Sequence, residues 1–239
     1  MADFQAEKVR MLVFDAGGTL IHPDPPVPVV YAHAAARYGI QVSATDLDRK
    51  FREAFQNSES VELTVKTGRD SQRTSEAAER QRWRWIVREC LGDFAGFDDC
   101  FAELFAWFAR PEAWACYPDV RPALARLQAA GWAMGLASNF DARLHAICAA
   151  TPELARLSPR WISSEVGYRK PAPEFFAAIG TTYGYRPGEL LMIGDDPLAD
   201  VAGARAAGWQ AVLIDRKSWH GPNGLSSLAE LADLLAVDA

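Results

Sequence analysis

Polar residues that could do chemistry follow short apolar segments at three places in this 239-residue chain. The segments are residues 9–14, 132–137 and 190–193, and the polar residues that follow them are Asp15, Ser138, Asn139, Asp195 and Asp196. Short apolar runs that stop at Gly or at polar residues are typical of buried strands in a parallel sheet. Ligands bind beyond the carboxyl ends of such strands. We therefore expect these side chains to converge on one site.

The residue types of this set predict a charged reaction centre. Asp15 can act as a covalent nucleophile, and several carboxylates can be ionised together only if a cation lies between them. Mg²⁺ is a hard ion that prefers such oxygen ligands. Ser138 and the N–H groups after it could hold phosphate oxygens, and Lys170 offers compact positive charge. Gly17 and Gly18 would let the backbone approach a ligand closely.

Each of these residues also has a purely structural explanation when it is taken alone. Asp15 could cap a turn, and Ser138 with Asn139 could form an ordinary helix N-cap. Lys170 could be a solvated surface charge, and the later aspartates could simply favour a helix N-terminus. We favour the functional interpretation because the whole set occurs in one chain and at successive strand ends.

The elements around these residues predict an α/β fold with a Rossmann-like, doubly wound parallel sheet. Further strands are predicted at residues 160–164 and 211–214, and helices at 119–130, 173–184 and 198–207. Residues 25–114 show no strand–helix alternation. There the pattern predicts helices at 27–38, 44–56, 75–91 and 98–109, with a polar loop at 57–73. We therefore expect a core of residues 1–22 and 117–239, and an inserted all-helical cap of residues 23–116.

Composition and charge exclude several classes of protein. Hydrophobic residues make up 49% of the chain and charged residues 23%, which is ordinary for a globular enzyme. The net charge of -6 gives no basic field for nucleic acid or an anionic membrane. No apolar run approaches a membrane span, and the N-terminal residues do not form a secretory signal. Four cysteines without a Cys-x-x-Cys pair predict reduced, mostly buried thiols in a cytoplasmic protein.

In their order along the chain, these segments resemble the four motifs of the haloacid dehalogenase-like superfamily. The similar stretches are residues 14–20 (FDAGGTL), 137–139 (ASN), 170–173 (KPAP) and 194–208, which begins with GDD and includes Asp200. The resemblance covers nearly the whole chain. It implies a hydrolase whose cap closes to exclude water and to choose the substrate. It also implies Mg²⁺ as cofactor and a small phosphorylated molecule as substrate.

The same resemblance implies a role for each motif residue. Asp15 would attack the substrate and form an aspartyl phosphate. The metal would be held by Asp15, Asp195 and the carbonyl of Gly17, with Asp196 as a further candidate ligand and Asp200 in the outer shell. Ser138 and the catalytic Lys170 would bind the phosphoryl group. Gly18, Thr19 and Asn139 complete the set of candidate phosphate-binding residues.

One position departs from the phosphatase pattern. Phosphatases of the superfamily usually carry a second aspartate two residues after the nucleophile, as general acid and base, whereas this chain has Gly17. Dehalogenases also lack that aspartate, because a halide leaves without a proton, and phosphonate-cleaving members have a small residue there. Dehalogenases need no metal, however, and Asp195 with Asp196 forms a metal-type motif. We therefore favour a phosphatase, and the pattern looks closest to the rhythmically-expressed-gene-like branch.

The cap contains candidate residues for the alternatives. A 2-haloacid dehalogenase would need a cap arginine, such as Arg49 or Arg52, and a phosphonate-cleaving enzyme a cap lysine, Lys50 or Lys66. His22 is a candidate for the missing acid. Other candidate substrate contacts are Arg69, Arg73, Arg80 and Arg82. A non-catalytic member that binds a phosphorylated ligand or a protein partner is the third alternative, with an interface built on Trp83, Trp85, Trp107 and Trp114.

Overall fold

The computed structural model of the protein describes residues 4–58, 72–216 and 224–235, except the side chains of Thr181 and Thr182. Its strands are β1 (Met11–Phe14), β2 (Ile21–Pro23), β3 (Trp114–Cys116), β4 (Ala133–Ser138), β5 (Arg160–Ile162), β6 (Leu190–Gly194), β7 (Gln210–Ile214) and β8 (Gly224–Leu225). Its α-helices are α1 (Val27–Ala36), α2 (Ala44–Asn57), α3 (Glu76–Leu91), α4 (Phe97–Trp107), α5 (Val120–Ala129), α6 (Arg143–Ala150), α7 (Pro152–Ala155), α8 (Ser163–Val166), α9 (Pro173–Tyr183), α10 (Gly203–Ala206) and α11 (Leu228–Leu235). A π-helix, Pro197–Ala202, precedes α10.

Six strands form one sheet in the order β5-β4-β1-β6-β7-β8, and all neighbouring pairs are parallel. Successive residues of β1 face opposite sides of this sheet. Leu12 and Phe14 belong to one buried apolar cluster, and Met11 and Val13 belong to another. Both faces are therefore covered, which explains why the strand is apolar throughout. The predicted α/β fold class is confirmed.

The four helices α1–α4 follow β1 and β2 in the chain and share an apolar core of their own. Tyr31, Leu47, Ile86, Phe101 and Leu104 are buried in this cluster. The bounds of the four helices lie within two residues of the predicted ones. At the start of α2, the Oγ atom of Ser43 accepts a hydrogen bond from the N–H of Asp46. The insertion is therefore all-helical, as predicted, and its role as a cap stays a prediction. Most of the polar loop predicted at 57–73 lies outside the described residues.

A short antiparallel ribbon connects the cap to the core. Strand β2 pairs with β3, so that Ile21 is opposite Cys116, His22 is opposite Ala115 and Pro23 is opposite Trp114. The chain enters the cap through one strand and leaves through the other. The predicted domain boundaries, after residues 22 and 116, fall within β2 and at the end of β3, and the division into core and cap stays a prediction.

Two predicted elements differ from the structure. The segment 160–164 is a strand only as far as Ile162, because α8 begins at Ser163. The predicted helix 198–207 begins as a π-helix, in which the N–H of Val201 donates to the carbonyl oxygen of Asp196, five residues earlier. Strands β2, β3 and β8 were not predicted, since two or three residues are too few to show a period.

The described helices and thiols bear on two further expectations. No helix in these parts of the chain is long and apolar enough to cross a membrane.

All four cysteines are free thiols. Burial raises the pKa of Cys90 to about 12 and that of Cys148 to about 11. They are therefore poor nucleophiles, because only the thiolate reacts.

Candidate active site

Neighbouring strands β1 and β4 bring Asp15 and Ser138 together at the carboxyl edge of the sheet. Asp15 follows β1 directly, is only 6% exposed, and donates its backbone N–H to the carbonyl oxygen of Ile193 in β6. Its Oδ1 atom accepts hydrogen bonds from Ser138 Oγ at 3.0 Å and from Lys170 Nζ at 2.7 Å. Both bonds end on one carboxylate oxygen, which leaves Oδ2 without a hydrogen bond among the described residues. The candidate nucleophile is therefore held in place through one of its two oxygens.

Lys170 is the centre of the hydrogen-bond network, with a side chain that is almost fully buried. Its ammonium group donates to Asp15 Oδ1 at 2.7 Å, to the Ala137 carbonyl oxygen at 2.7 Å and to Asp200 Oδ1 at 2.6 Å. An ammonium has three donors, so all of them are in use. A phosphate could therefore contact Lys170 only by sharing or replacing one of these bonds.

Asn139, a candidate phosphate ligand, is occupied in holding Lys170. Its Nδ2 donates to the carbonyl oxygen of Lys170 at 2.9 Å, and its Oδ1 accepts from the backbone N–H of Lys170 at 2.8 Å. This pair of bonds fixes the backbone that carries the buried ammonium. The geometry therefore favours a positioning role for Asn139, while direct phosphate contact by its side chain stays a prediction.

The acidic cluster consists of Asp15, Asp195 and Asp200, each of which offers an oxygen within 4.8 Å of the others. The ammonium of Lys170 pairs with Asp15 and Asp200, at 2.7 and 2.6 Å. Carboxylates this close together favour a bound cation, and oxygen donors suit Mg²⁺. The donor set therefore fits such an ion.

Burial and neighbouring charges shift the pKa values of Asp15, Asp200 and Lys170. Burial raises the pKa of the Asp15 carboxyl, Asp195 raises it further, and Lys170 opposes both effects. Burial likewise raises the pKa of Asp200 to about 6. Burial alone would lower the pKa of Lys170, but the two carboxylates that it contacts hold this pKa above its ordinary value. The ammonium is thus kept charged by its two carboxylate partners.

Asp196, predicted as a further metal ligand, lies outside the acidic cluster. Its Oδ1 accepts from the N–H groups of Leu198 and Ala199, at 2.8 and 2.9 Å, and so caps the π-helix. Asp200, one turn later, instead points back into the site, and its Oδ2 accepts from the N–H of Asp196 at 3.0 Å. The placement of Asp196 argues against direct metal binding, because its side chain serves the helix cap.

The loop after Asp15 shapes the site through its glycines. Gly18 has a φ of +88°, and a Cβ atom built on it would lie 2.3 Å from Asp195 Oδ2. Only glycine allows this approach. The N–H of Gly18 donates to the Ile21 carbonyl oxygen at 2.8 Å, and Thr19 Oγ1 donates to Asp195 Oδ1 at 3.2 Å. Both candidate phosphate-binding residues thus shape the surroundings of Asp195.

Gly17 is exposed beside the acidic cluster, and a Cβ atom built on it meets nothing within 4 Å. Its φ is outside the left-handed region, so a side chain would fit there without strain. The proposed metal contact through its carbonyl oxygen stays a prediction. His22, the candidate acid, lies in the ribbon, where its ring packs 4.8 Å from that of Tyr117.

Arg216 is a supporting residue that the sequence reasoning missed. Its Nε and Nη2 atoms donate to the carbonyl oxygen of Thr19 at 3.1 and 2.7 Å, and Nη1 donates to Asp119 Oδ1 at 2.9 Å. The guanidinium also lies 3.9 Å from the centre of the Tyr117 ring. It fixes the loop that contains Gly18. The signal was present, because Arg216 stands just beyond the carboxyl end of β7.

The cap candidates are found in different environments. Arg49 and Arg52 are exposed and pair with Glu53 and Asp48 on their own helix. Lys50 Nζ donates to the Cys90 carbonyl oxygen at 3.2 Å, and Arg80 packs over two cap aromatic rings. Lys66 and Arg69 lie outside the described residues.

The four candidate interface tryptophans are placed differently. Trp83 and Trp85 pack against the cap core, and Trp107 lines a groove between α1 and α4. Trp114 donates to the Phe108 carbonyl oxygen at 3.1 Å.

Fold and site together define a hydrolase with a parallel α/β core, an aspartate-rich centre and a helical cap. A profile of the haloacid dehalogenase-like hydrolases matches residues 9–208. The chain therefore belongs to this family, and it is a hydrolase.

Relatives and solved structures agree with this placement. The haloacid dehalogenase-like hydrolase domain-containing protein 3 of Danio rerio is 27% identical over 87% of this chain and 86% of its own length. Ribulose-1,5-bisphosphate 5-phosphatase of Halopiger xanaduensis is 28% identical over 95% and 91%. The crystal structure of a dehalogenase with an intermediate complex superposes with a TM-score of 0.73 at 21% identity, over 97% and 99% of the two chains. The last similarity concerns the fold alone.

Proposed function

We propose that this chain is a Mg²⁺-dependent phosphatase that cleaves a small phosphorylated molecule through an aspartyl-phosphate intermediate. The observation that carries the proposal is the acidic cluster, in which Asp15, Asp195 and Asp200 each offer an oxygen within 4.8 Å of the others. The ammonium of Lys170 lies beside it and pairs with Asp15 and Asp200. A relative that is named as a phosphatase and aligns over most of both chains supports the same reaction.

Asp15 is the proposed nucleophile. One of its carboxylate oxygens would attack phosphorus while the bond from phosphorus to the substrate oxygen breaks, and water would then cleave the acyl phosphate to release inorganic phosphate. Ser138 and Lys170 hold Oδ1, so the carboxylate meets the substrate in a fixed orientation. Lys170 also supplies positive charge next to the transferred group.

Asp15 and Asp195 are the proposed protein ligands of Mg²⁺, together with the Gly17 carbonyl oxygen. Bound there, the ion would offset the carboxylate charge and polarise the phosphoryl oxygens. Asp200 would not bind the ion directly but would hold Lys170 in place, because its two oxygens already accept from Lys170 Nζ and from the N–H of Asp196. Asp196 serves the helix cap in this scheme.

A 2-haloacid dehalogenase is the second candidate, because Gly17 leaves the first motif without the phosphatase acid. Against it stand the acidic cluster and the cap arginines Arg49 and Arg52, which are exposed and paired within α2. The phosphonate alternative has Lys50, whose ammonium donates to a backbone carbonyl oxygen in the cap.

One experiment separates these reactions. The purified protein is incubated with p-nitrophenyl phosphate, with a 2-haloacid and with a phosphonate, each with Mg²⁺ and with a chelator. We expect phosphate release from the ester that requires Mg²⁺ and that Asp15→Asn abolishes. Halide release in the presence of the chelator would establish the dehalogenase instead, and binding without turnover of any substrate would indicate a non-catalytic member.

A further inference from the structure

Arg82, in cap helix α3, is a buried arginine with unused hydrogen-bond donors. The residue is 5% exposed, and its Nε and Nη1 atoms are buried without a hydrogen-bond partner among the described residues. Its ion-pair neighbour is Glu79, whose Oε2 lies 3.7 Å from Nε, beyond hydrogen-bond distance. A buried charged group without such bonds is costly to the fold and calls for an explanation. A ligand that completes these bonds is one explanation.

Glu79 cannot complete the hydrogen bonds of the Arg82 guanidinium, because the Glu79 carboxylate also contacts other groups. Its Oε1 atom accepts from Thr74 Oγ1 at 2.6 Å and lies 3.6 Å from Nε of Arg169, a core residue that is also buried. One cap carboxylate therefore stands between two guanidinium groups, one from the cap and one from the core. Burial is the main cause that raises the pKa of Glu79, and Arg169 and the hydrogen bond from Thr74 oppose it.

These groups lie where the cap rests on the segment that leads to Lys170. The N–H of Thr74 donates to the Gly167 carbonyl oxygen at 3.0 Å, and the N–H of Arg169 donates to the Gln72 carbonyl oxygen at 2.9 Å. Glu76, at the start of α3, accepts from the backbone N–H of Ala142 at 3.0 Å and from the hydroxyl of Ser164. Arg169 directly precedes Lys170, whose ammonium contacts the candidate nucleophile. Glu76 and Glu79 thus face the core next to the segment that leads to Lys170, and Arg82 lies beside Glu79.

A phosphoryl group at Asp15 would lie against Lys170, so the rest of the substrate would extend between core and cap. We propose that Arg82, beside Arg169, binds an anionic group on this leaving-group part of the substrate. A carboxylate and a second phosphate both match the planar fork of a guanidinium. The preferred substrates are then phosphate monoesters that carry a second anionic group. This inference rests on the proposed phosphatase function.

The test compares substrates that differ only in the second group. Phenyl phosphate is the parent, and its counterparts carry a carboxylate, a carboxymethyl group or a second phosphate on the ring. Wild type, Arg82→Met and the control Arg84→Met are assayed with Mg²⁺. Arg84 is in the same helix but forms a surface pair with Asp98. The kcat/KM of each variant is divided by that of wild type on the same ester, so that the intrinsic reactivity of the ester cancels.

We expect wild type to prefer an anionic ester, and Arg82→Met to lose about 10- to 100-fold in kcat/KM on that ester alone, as loss of a charged hydrogen bond predicts. Phenyl phosphate turnover and the Arg84→Met control should stay near wild type. The arm with the larger loss identifies carboxylate or phosphate as the bound group.

Stability distinguishes binding from a structural role. Arg82→Met should melt close to the wild-type temperature, because Glu79 keeps Arg169 and the hydrogen bond from Thr74 when the poorly hydrogen-bonded guanidinium is removed. A lower Tm with equal losses on every ester would overturn the inference, as would a wild type that does not discriminate. Should Arg82→Met not fold, Arg82→Lys keeps the charge without the fork and should lose activity only on anionic esters. If wild type hydrolyses no phosphate ester at all, the proposed function itself fails.

Discussion

Gly17→Asp restores the carboxyl group that phosphatases of this family usually carry, and the structure indicates that it fits. The position is exposed, its φ is not left-handed, and a Cβ atom built there meets nothing within 4 Å. Little of the gain should therefore be lost to strain. Proton donation to the leaving group is worth about 10² to 10⁴ in rate, or roughly 3 to 5 kcal/mol of barrier.

We expect Gly17→Asp to raise kcat/KM on an alkyl phosphate by about 100-fold, the low end of that range, because an exposed loop does not fix the new side chain. An aryl phosphate should change little, since its leaving group has a low pKa and departs without a proton. The assay measures phosphate release from butyl phosphate and from p-nitrophenyl phosphate at saturating Mg²⁺, for both proteins.

Gly17→Asn is the matched control, because it has the same size and cannot donate a proton as an acid. An equal gain in this variant would show that the effect is one of packing. Equal wild-type rates on the two esters would show that an acid is already present elsewhere, with His22 the first candidate to replace. Either result would refute the reasoning from Gly17.

Three further predictions concern the acidic cluster and its supports. Asp195→Asn should abolish Mg²⁺ binding by calorimetry, whereas Asp196→Asn, which can still cap a helix, should keep it; the reverse order would exchange the two roles. Lys170→Met leaves two buried carboxylates without their ammonium and should lower the free energy of unfolding in urea by about 3–5 kcal/mol in the absence of metal, while an unchanged value would show that the pairing contributes nothing. Gly18→Ala and Gly39→Ala both place a side chain at positive φ, at a cost of about 1–2 kcal/mol each, but only the first presses on Asp195, at 2.3 Å. Gly18→Ala alone should therefore weaken Mg²⁺ binding, and equal binding in the two variants would contradict that.

The sequence by itself determined the fold class and the edge of the sheet where the site lies. Apolar segments that stop at Asp15, at Ser138 and before Asp195 predict buried parallel strands, and the carboxyl ends of such strands meet. The missing strand–helix alternation between residues 25 and 114 was enough to predict the helical cap. These inferences rest on local patterns that survive in any packing of the elements.

Only the tertiary structure decided what each side chain contacts. Asp196 and Asp200 are equally acidic and close in sequence, but the π-helix turns the first into a cap and the second toward Lys170. Asn139 holds the backbone of Lys170, and Arg82 is buried with two nitrogen atoms that lack a hydrogen-bond partner among the described residues. Side-chain direction depends on the handedness and width of each turn and on contacts far apart in the chain. Residue types and spacing cannot specify these contacts, so the sequence predicted the members of the candidate site and only the packing shows what each of them contacts.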